Sequence, residues 1–120
     1  MQNKSCIFCK IVNKEIPAAV VFEDELVFAF KDIHPIAPVH ILIIPKEHIA
    51  SMNDLTNSEK DEKIMGRMLI IAQQLAKEQG IAADGYKLLI RTGRNGGQEV
   101  PHIHLHLLGG ARLAEGIRVL

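Results

Sequence analysis

An α+β domain built on an antiparallel sheet is the fold class this sequence predicts. Three observations carry the prediction. Five short runs are rich in β-branched and apolar residues, one long run has apolar residues at helical spacing, and Gly, Pro or Asp stands at most junctions between them. Strands that come in pairs around one dominant helix belong to that class. The 120 residues contain no internal repeat and no low-complexity segment, so 1–120 reads as a single domain, long enough to bury a core without disulfides.

The elements follow in order. Residues 5–14 are short and partly apolar and predict a brief helix or turn holding Cys6 and Cys9. Residues 20–23 are β-branched, Asp24 and Glu25 turn the chain, and 26–30 resume as a strand, which makes a hairpin. Residues 32–38 hold Pro35 and Pro38 and read as a loop. Residues 39–44 are nearly all apolar, as expected of a central strand covered on both faces, and Pro45 ends it. Thr56 and Glu59 have capping-box spacing at the start of the long helix. Its core stripe is Ile64, Met68, Leu69, Ile71, Ala72 and Leu75, and Gly80 suits the left-handed position past its end. Residues 86–91 predict a fourth strand, 93–97 a glycine-rich loop, and 102–108 a fifth strand ended by Gly109 and Gly110.

Composition narrows the function. Hydrophobic residues make up 48% and charged residues 23%, as in an ordinary soluble globular protein. The formal net charge is +0, so no broad basic face is expected and nucleic acid is not an expected partner. Any anionic ligand must then be held by local donors. Residues 1–10 lack the apolar stretch of a secretory signal, and 39–44 are too few to span a bilayer. A cytoplasmic protein without membrane association is the expectation. Cys6 and Cys9 lie too close together for a spread disulfide framework and read as a metal or redox pair. No strand precedes them, which counts against a thioredoxin-type role.

The run His102-Ile103-His104-Leu105-His106-Leu107-Leu108 carries the chemistry. Side chains alternate across a strand, so the three imidazoles share one face while Ile103, Leu105 and Leu107 take the other. Two other readings stand beside a catalytic one: an exposed face that tolerates histidine, and a metal site made by the three rings. The preceding Gly93-Arg94-Asn95-Gly96-Gly97-Gln98 favours phosphate, because glycines let backbone N–H groups turn towards an anion. An imidazole beside such a cradle attacks phosphorus and divides one hard displacement into two easier ones. Neighbouring histidines supply protons to a leaving group.

The segment from Gly96 to Gly110, Gly-Gly-Gln-Glu-Val-Pro-His-Ile-His-Leu-His-Leu-Leu-Gly-Gly, resembles the histidine triad (HIT) signature. Its closing Leu-Leu-Gly-Gly is similar to the histidine triad nucleotide-binding (Hint) branch rather than the fragile-histidine-triad branch. Ile7-Phe8, Lys14-Glu15-Ile16-Pro17-Ala18, Phe30-Lys31-Asp32-Ile33 and the run from Ala37 to Ile49 match the family in order. The resemblance implies a HIT-like fold, with a five-stranded antiparallel sheet, one long helix and a short N-terminal helix. It implies a homodimer in which two sheets run together and the long helices pack across the interface.

The resemblance also assigns roles. His104 is the nucleophile that carries the nucleotidyl group, His106 contacts phosphate, and His102 orients the nucleophile or handles the leaving group. Gly97, Gln98 and Glu99 lie beside the phosphate. Phe8, Phe30, Ile33 and Leu42 line the base and sugar pocket, and Asp32 accepts ribose hydroxyl protons. Ordinary core packing is the competing reading of those apolar residues. In bacterial members a CxxC pair joins two histidines around zinc, which here implies Cys6, Cys9, His48 and His102 as a closed structural site; no metal is required for the chemistry.

The implied activity is that of a purine nucleoside phosphoramidase or related nucleotidyl hydrolase that releases nucleoside monophosphate. The rivals are a dinucleoside polyphosphate hydrolase and a nucleotide-binding partner protein with vestigial catalysis. Three residues depart from the Hint pattern: Arg91 stands for an asparagine near the phosphate, Pro101 for tyrosine, and His34 for serine. Arg91 is longer and permanently charged; it either grips phosphate, which is the expectation, or turns away to solvent.

Overall fold

The computed structural model describes residues 2–119. The element order is α1 (Ile7–Val12), β1 (Val20–Glu23), β2 (Val27–Lys31), β3 (Val39–Pro45), α2 (Glu59–Glu78), β4 (Tyr86–Ile90), a four-residue helix α3 (Gly93–Gly96) and β5 (Leu105–Gly109). The five strands form one sheet in the order β1-β2-β3-β5-β4, with every neighbouring pair antiparallel. A short 3-10 turn over Met52–Asp54, closed by reciprocal Ser51 and Asp54 hydrogen bonds, adds an element that the sequence pattern does not announce. No described helix is long and apolar enough to cross a membrane.

Strand alternation sorts the sheet into two faces. Val27 and Ala29 of β2, Ile41 and Ile43 of β3, and Leu105 and Leu107 of β5 pack against Ile64, Met68, Ile71, Ala72 and Leu75 of α2. Phe28, Phe30, Leu42 and Ile44 point the other way, where Cys6, Phe8, Cys9 and Ile11 from the first segment cover them. This is why β3 is apolar apart from His40: it is the middle strand and both its faces are buried.

Four local expectations are corrected. The long helix starts at Glu59 with Ser58 as its cap, not at a box made by Thr56 and Glu59. Ser58 Oγ accepts from the Asp61 N–H at 3.1 Å, while Asp61 takes the Thr56 N–H and hydroxyl at 2.8 and 2.9 Å. Serine and aspartate offer the same spacing two residues on, and they win. Leu69 is 48% exposed, because it lies about a third of a turn off the stripe through Met68, Ile71, Ala72 and Leu75. The glycine segment coils into α3 and is closed by Gly97 at φ +76°, where a side chain would be strained. The last strand begins at Leu105, not His102, because the Ile103 N–H bonds to the Ile49 carbonyl at 2.8 Å rather than to a neighbouring strand.

Candidate active site

A cavity of about 610 Å³ opens on the sheet face opposite α2, large enough for a nucleotide-sized ligand. α1 supplies Phe8, β2 supplies Phe30, the following loop adds Asp32 and Ile33, and β3 contributes His40 and Leu42. β5 and the residue before it bring His106 and His104, while Arg91 and Glu99 close the far wall. Phe8 reaches the histidine segment directly, its ring edge-on to His104 at 5.1 Å between centroids. Phe8, Phe30 and Leu42 are also buried members of the core on this face, so packing and cavity lining are the same role here. Ile33 is 81% exposed at the rim, an apolar side chain left open to a ligand.

Hydrogen bonds set which nitrogen of each ring carries the proton. His104 Nδ1 lies 2.8 Å from the His102 carbonyl oxygen, which only accepts, so Nδ1–H donates and Nε2 keeps its lone pair. His40 Nδ1 accepts from the Ile36 N–H at 3.2 Å, which places the proton of the neutral ring on Nε2. That nitrogen is 3.0 Å from His106 Nδ1 and 3.4 Å from Asp32 Oδ2. His106 Nδ1 is therefore an acceptor, and its proton sits on Nε2, which is buried without a partner among the described residues. The pair is a lone-pair nitrogen on His104 beside an N–H on His106, with ring centroids 5.0 Å apart.

Burial keeps these rings neutral. It pushes His104 below the ordinary histidine value, Arg91 adding to the effect and the His102 carbonyl opposing it. Burial holds His106 down at about 4, helped by neighbouring His104, His40 and Arg91. His40 is lowered by burial, against the pull of Asp32. A neutral imidazole keeps a lone pair and is the form able to act as a nucleophile. The atoms of Asp32, His40 and His106 are close enough to share a cation. The Ile36 bond opposes that, since it holds a proton on the very His40 nitrogen that would have to ligate.

His102 shares the histidine face but does not line the cavity, because α1 covers it; it is wholly buried. Its Nε2–H donates to the Pro45 carbonyl at 2.8 Å, so Nδ1 presents a lone pair. That lone pair faces Cys6 Sγ at 3.3 Å and Cys9 Sγ at 3.6 Å, while His48 Nδ1 stands 3.4 Å from Cys9 Sγ. A tetrahedral ion with ligand bonds of about 2.0–2.3 Å separates its ligands by roughly 3.3–3.8 Å. These three separations match that spacing, all four donors lie within 4.8 Å of one another, and the group of Cys6, Cys9, His48 and His102 could hold a metal.

Two predicted residues stand apart from the cavity wall. Gln98 is spent on structure: its oxygen accepts from the Gly93 N–H at 3.0 Å, and its nitrogen donates to the Ala50 and Val100 carbonyls at 2.7 and 2.9 Å. Gly97 caps α3, and its N–H bonds to the Arg94 carbonyl. His40 is the residue sequence reasoning left without a role. Alternation with Leu42 on the cavity face of β3 is the signal that marks it.

The HIT domain family model matches residues 13–113. The purine nucleoside phosphoramidase of Escherichia coli strain K12 is 53% identical over 107 residues, covering 89% of this chain and 88% of that protein. A HIT family hydrolase from Legionella pneumophila Philadelphia 1 superposes with a TM-score of 0.88 at 50% identity, over 93% of this chain and 98% of that one. A histidine triad protein from Clostridium difficile gives a TM-score of 0.90 at 42% identity, over 96% and 98% of the two chains.

Proposed function

The chain belongs to the HIT domain family, and from that premise we propose that it hydrolyses purine nucleoside phosphoramidates and related nucleotidyl compounds at the α-phosphorus. The observation that carries the reading is the His102 carbonyl, which holds the His104 proton on Nδ1 and leaves Nε2 free to attack.

His104 Nε2 forms a bond to phosphorus as the P–N bond breaks. The amine leaves with that electron pair and takes one proton from solvent, while the neutral Nε2–H of His106 donates a hydrogen bond to a phosphoryl oxygen. Water then adds to the nucleotidyl-histidine, loses a proton, and frees both nucleoside monophosphate and the ring. Phe8, Phe30, Ile33 and Leu42 take the base and sugar, Asp32 the ribose hydroxyls, and Glu99 the phosphate side, with Gly97 and Gln98 building the turn that leads to it. Cys6, Cys9, His48 and His102 would hold a structural zinc. Bound there, zinc supplies cross-linking, tying the first helix to the catalytic strand.

A second copy of the chain is proposed to pair along α2 and β4, where Leu69, Ile70 and Leu88 are exposed and the outer edge of β4 has no neighbour among the described strands. The free thiols of Cys6 and Cys9 suit a reducing cytoplasm.

The test is His104→Ala, assayed on an adenosine phosphoramidate. Turnover is expected to vanish while the folded chain still binds nucleoside monophosphate. Activity within about tenfold of wild type, roughly 1.4 kcal/mol of barrier, refutes the nucleophile. A nucleotidyl adduct trapped on His104 would exclude a binding protein with vestigial catalysis.

A further inference from the structure

Resting on the hydrolase reading, we propose that Arg91 selects substrates whose leaving group carries a negative charge of its own. β5 divides the site. Phe8, Phe30, Leu42 and Asp32 build the nucleoside side from α1, β2 and β3. The opposite side belongs to β4, which pairs Leu89 with His106 and Ile90 with Leu105. One residue beyond β4, Arg91 lines the same cavity as His104, and its charge bears on that ring. A substrate that fills the nucleoside side and sets its phosphorus over His104 continues across β5 onto Arg91.

Among the described residues the guanidinium has no partner. Bare glycine backbone lies against the stem: a Cβ on Gly97 would stand 3.7 Å from Arg91 Cδ and 3.9 Å from Nε. Among the described residues Arg91 makes no hydrogen bond and no ion pair, although Glu99 lines the same cavity. Its charge is permanent and bears on His40, His104 and His106 alike. An unpaired, half-buried arginine with five donors in a planar fork fits a carboxylate or phosphate two donors at a time. The α-phosphoryl group carries one charge and sits over His104; a second anion on the departing group is what the fork would take. The guanidinium moves no proton and no electron pair. It pairs with the leaving group while the P–N or P–O bond breaks as before.

Two sources supply such an anion: the carboxylate of an amino-acid amine, or the outer phosphate of a nucleoside polyphosphate. The experiment uses adenosine 5′-phosphoramidates of one amino acid, with its carboxylate free or methylated, and adenosine diphosphate as a third substrate. The ratio of kcat/KM for acid over ester is measured for wild type, Arg91→Asn and Arg91→Lys. Dividing the ratios cancels the intrinsic difference between the two amines. The expected result is a ratio at least about tenfold higher in wild type than in Arg91→Asn, with Arg91→Lys between. Diphosphate turnover that falls by the same factor in Arg91→Asn places the anion on phosphate; an effect confined to the amino-acid pair places it on carboxylate. Equal acid-to-ester ratios in wild type and Arg91→Asn, with diphosphate unaffected, overturn the proposal. If wild type turns over none of the three, the hydrolase reading fails, and the calorimetric Kd ratios of acid and ester in the same variants decide Arg91's part by the same criterion.

Discussion

Lowering the pH from 7 to 5 is expected to destabilise the protein through His106, by an amount the structure sets. The ring is buried, which holds its pKa at about 4 against 6.5 for an ordinary histidine. Between those values the unfolded chain binds more protons than the folded one, so stability rises with pH across that window. The contribution is complete above about pH 6.5 and is lost as pH falls from there through about 4. Every tenfold difference in proton affinity between the folded and unfolded ring is worth about 1.4 kcal/mol. Between pH 7 and 5 the linkage relation gives a loss of about 2 kcal/mol for a fully buried ring, and nearer 1 kcal/mol once solvent at the cavity mouth is allowed for. Urea unfolding of wild type and His106→Asn at both pH values measures it, read as the difference of their pH-induced changes. Any metal bound at the cysteine site would add its own pH dependence, which is common to both chains and cancels. The expected outcome is a wild-type loss larger than that of His106→Asn by about 1–2 kcal/mol. Equal losses, or a larger one in the variant, would refute the assignment of a neutral buried ring.

Two further outcomes follow from the geometry. The protein isolated from cells is expected to carry one zinc per chain, lost in the Cys9→Ala variant; elemental analysis decides it. Metal-free protein whose melting temperature is unmoved by added zinc would leave the cysteines as packing residues. Gly110→Ala is expected to lower stability by about 2–3 kcal/mol, since φ there is +88° and the new Cβ would lie 2.9 Å from the ring carbon of Pro38. For a chain of this size that is a fall of roughly 10 °C in Tm by thermal unfolding; a change below about 2 °C would contradict the fixed backbone of that turn.

Much of the fold is legible in the sequence because its signals are local. Alternation in β2, β3 and β5, the 3.6-residue stripe of α2 and the glycine past its end are each written within a few residues. Sequence and structure part where two local partners compete, as Thr56 and Ser58 do for the helix start, or where packing decides, as for Leu69. The one-sided histidines mark the site because alternation alone puts His104 and His106 on a common face.

By itself the sequence determined the fold class, the sheet-forming runs and the chemical character of the triad strand. It did so because strand and helix periodicity turn residue order directly into faces. Tertiary structure alone decided what each imidazole does. His104 keeps a free Nε2 lone pair through a carbonyl two residues back, but His106 owes its proton to a loop N–H at Ile36 relayed through His40, 66 residues away in sequence. His102 leaves the cavity for the thiols of Cys6 and Cys9, more than 90 residues distant. The proton on a histidine ring follows its hydrogen-bond partner, and a partner brought in from across the chain leaves no mark on local spacing.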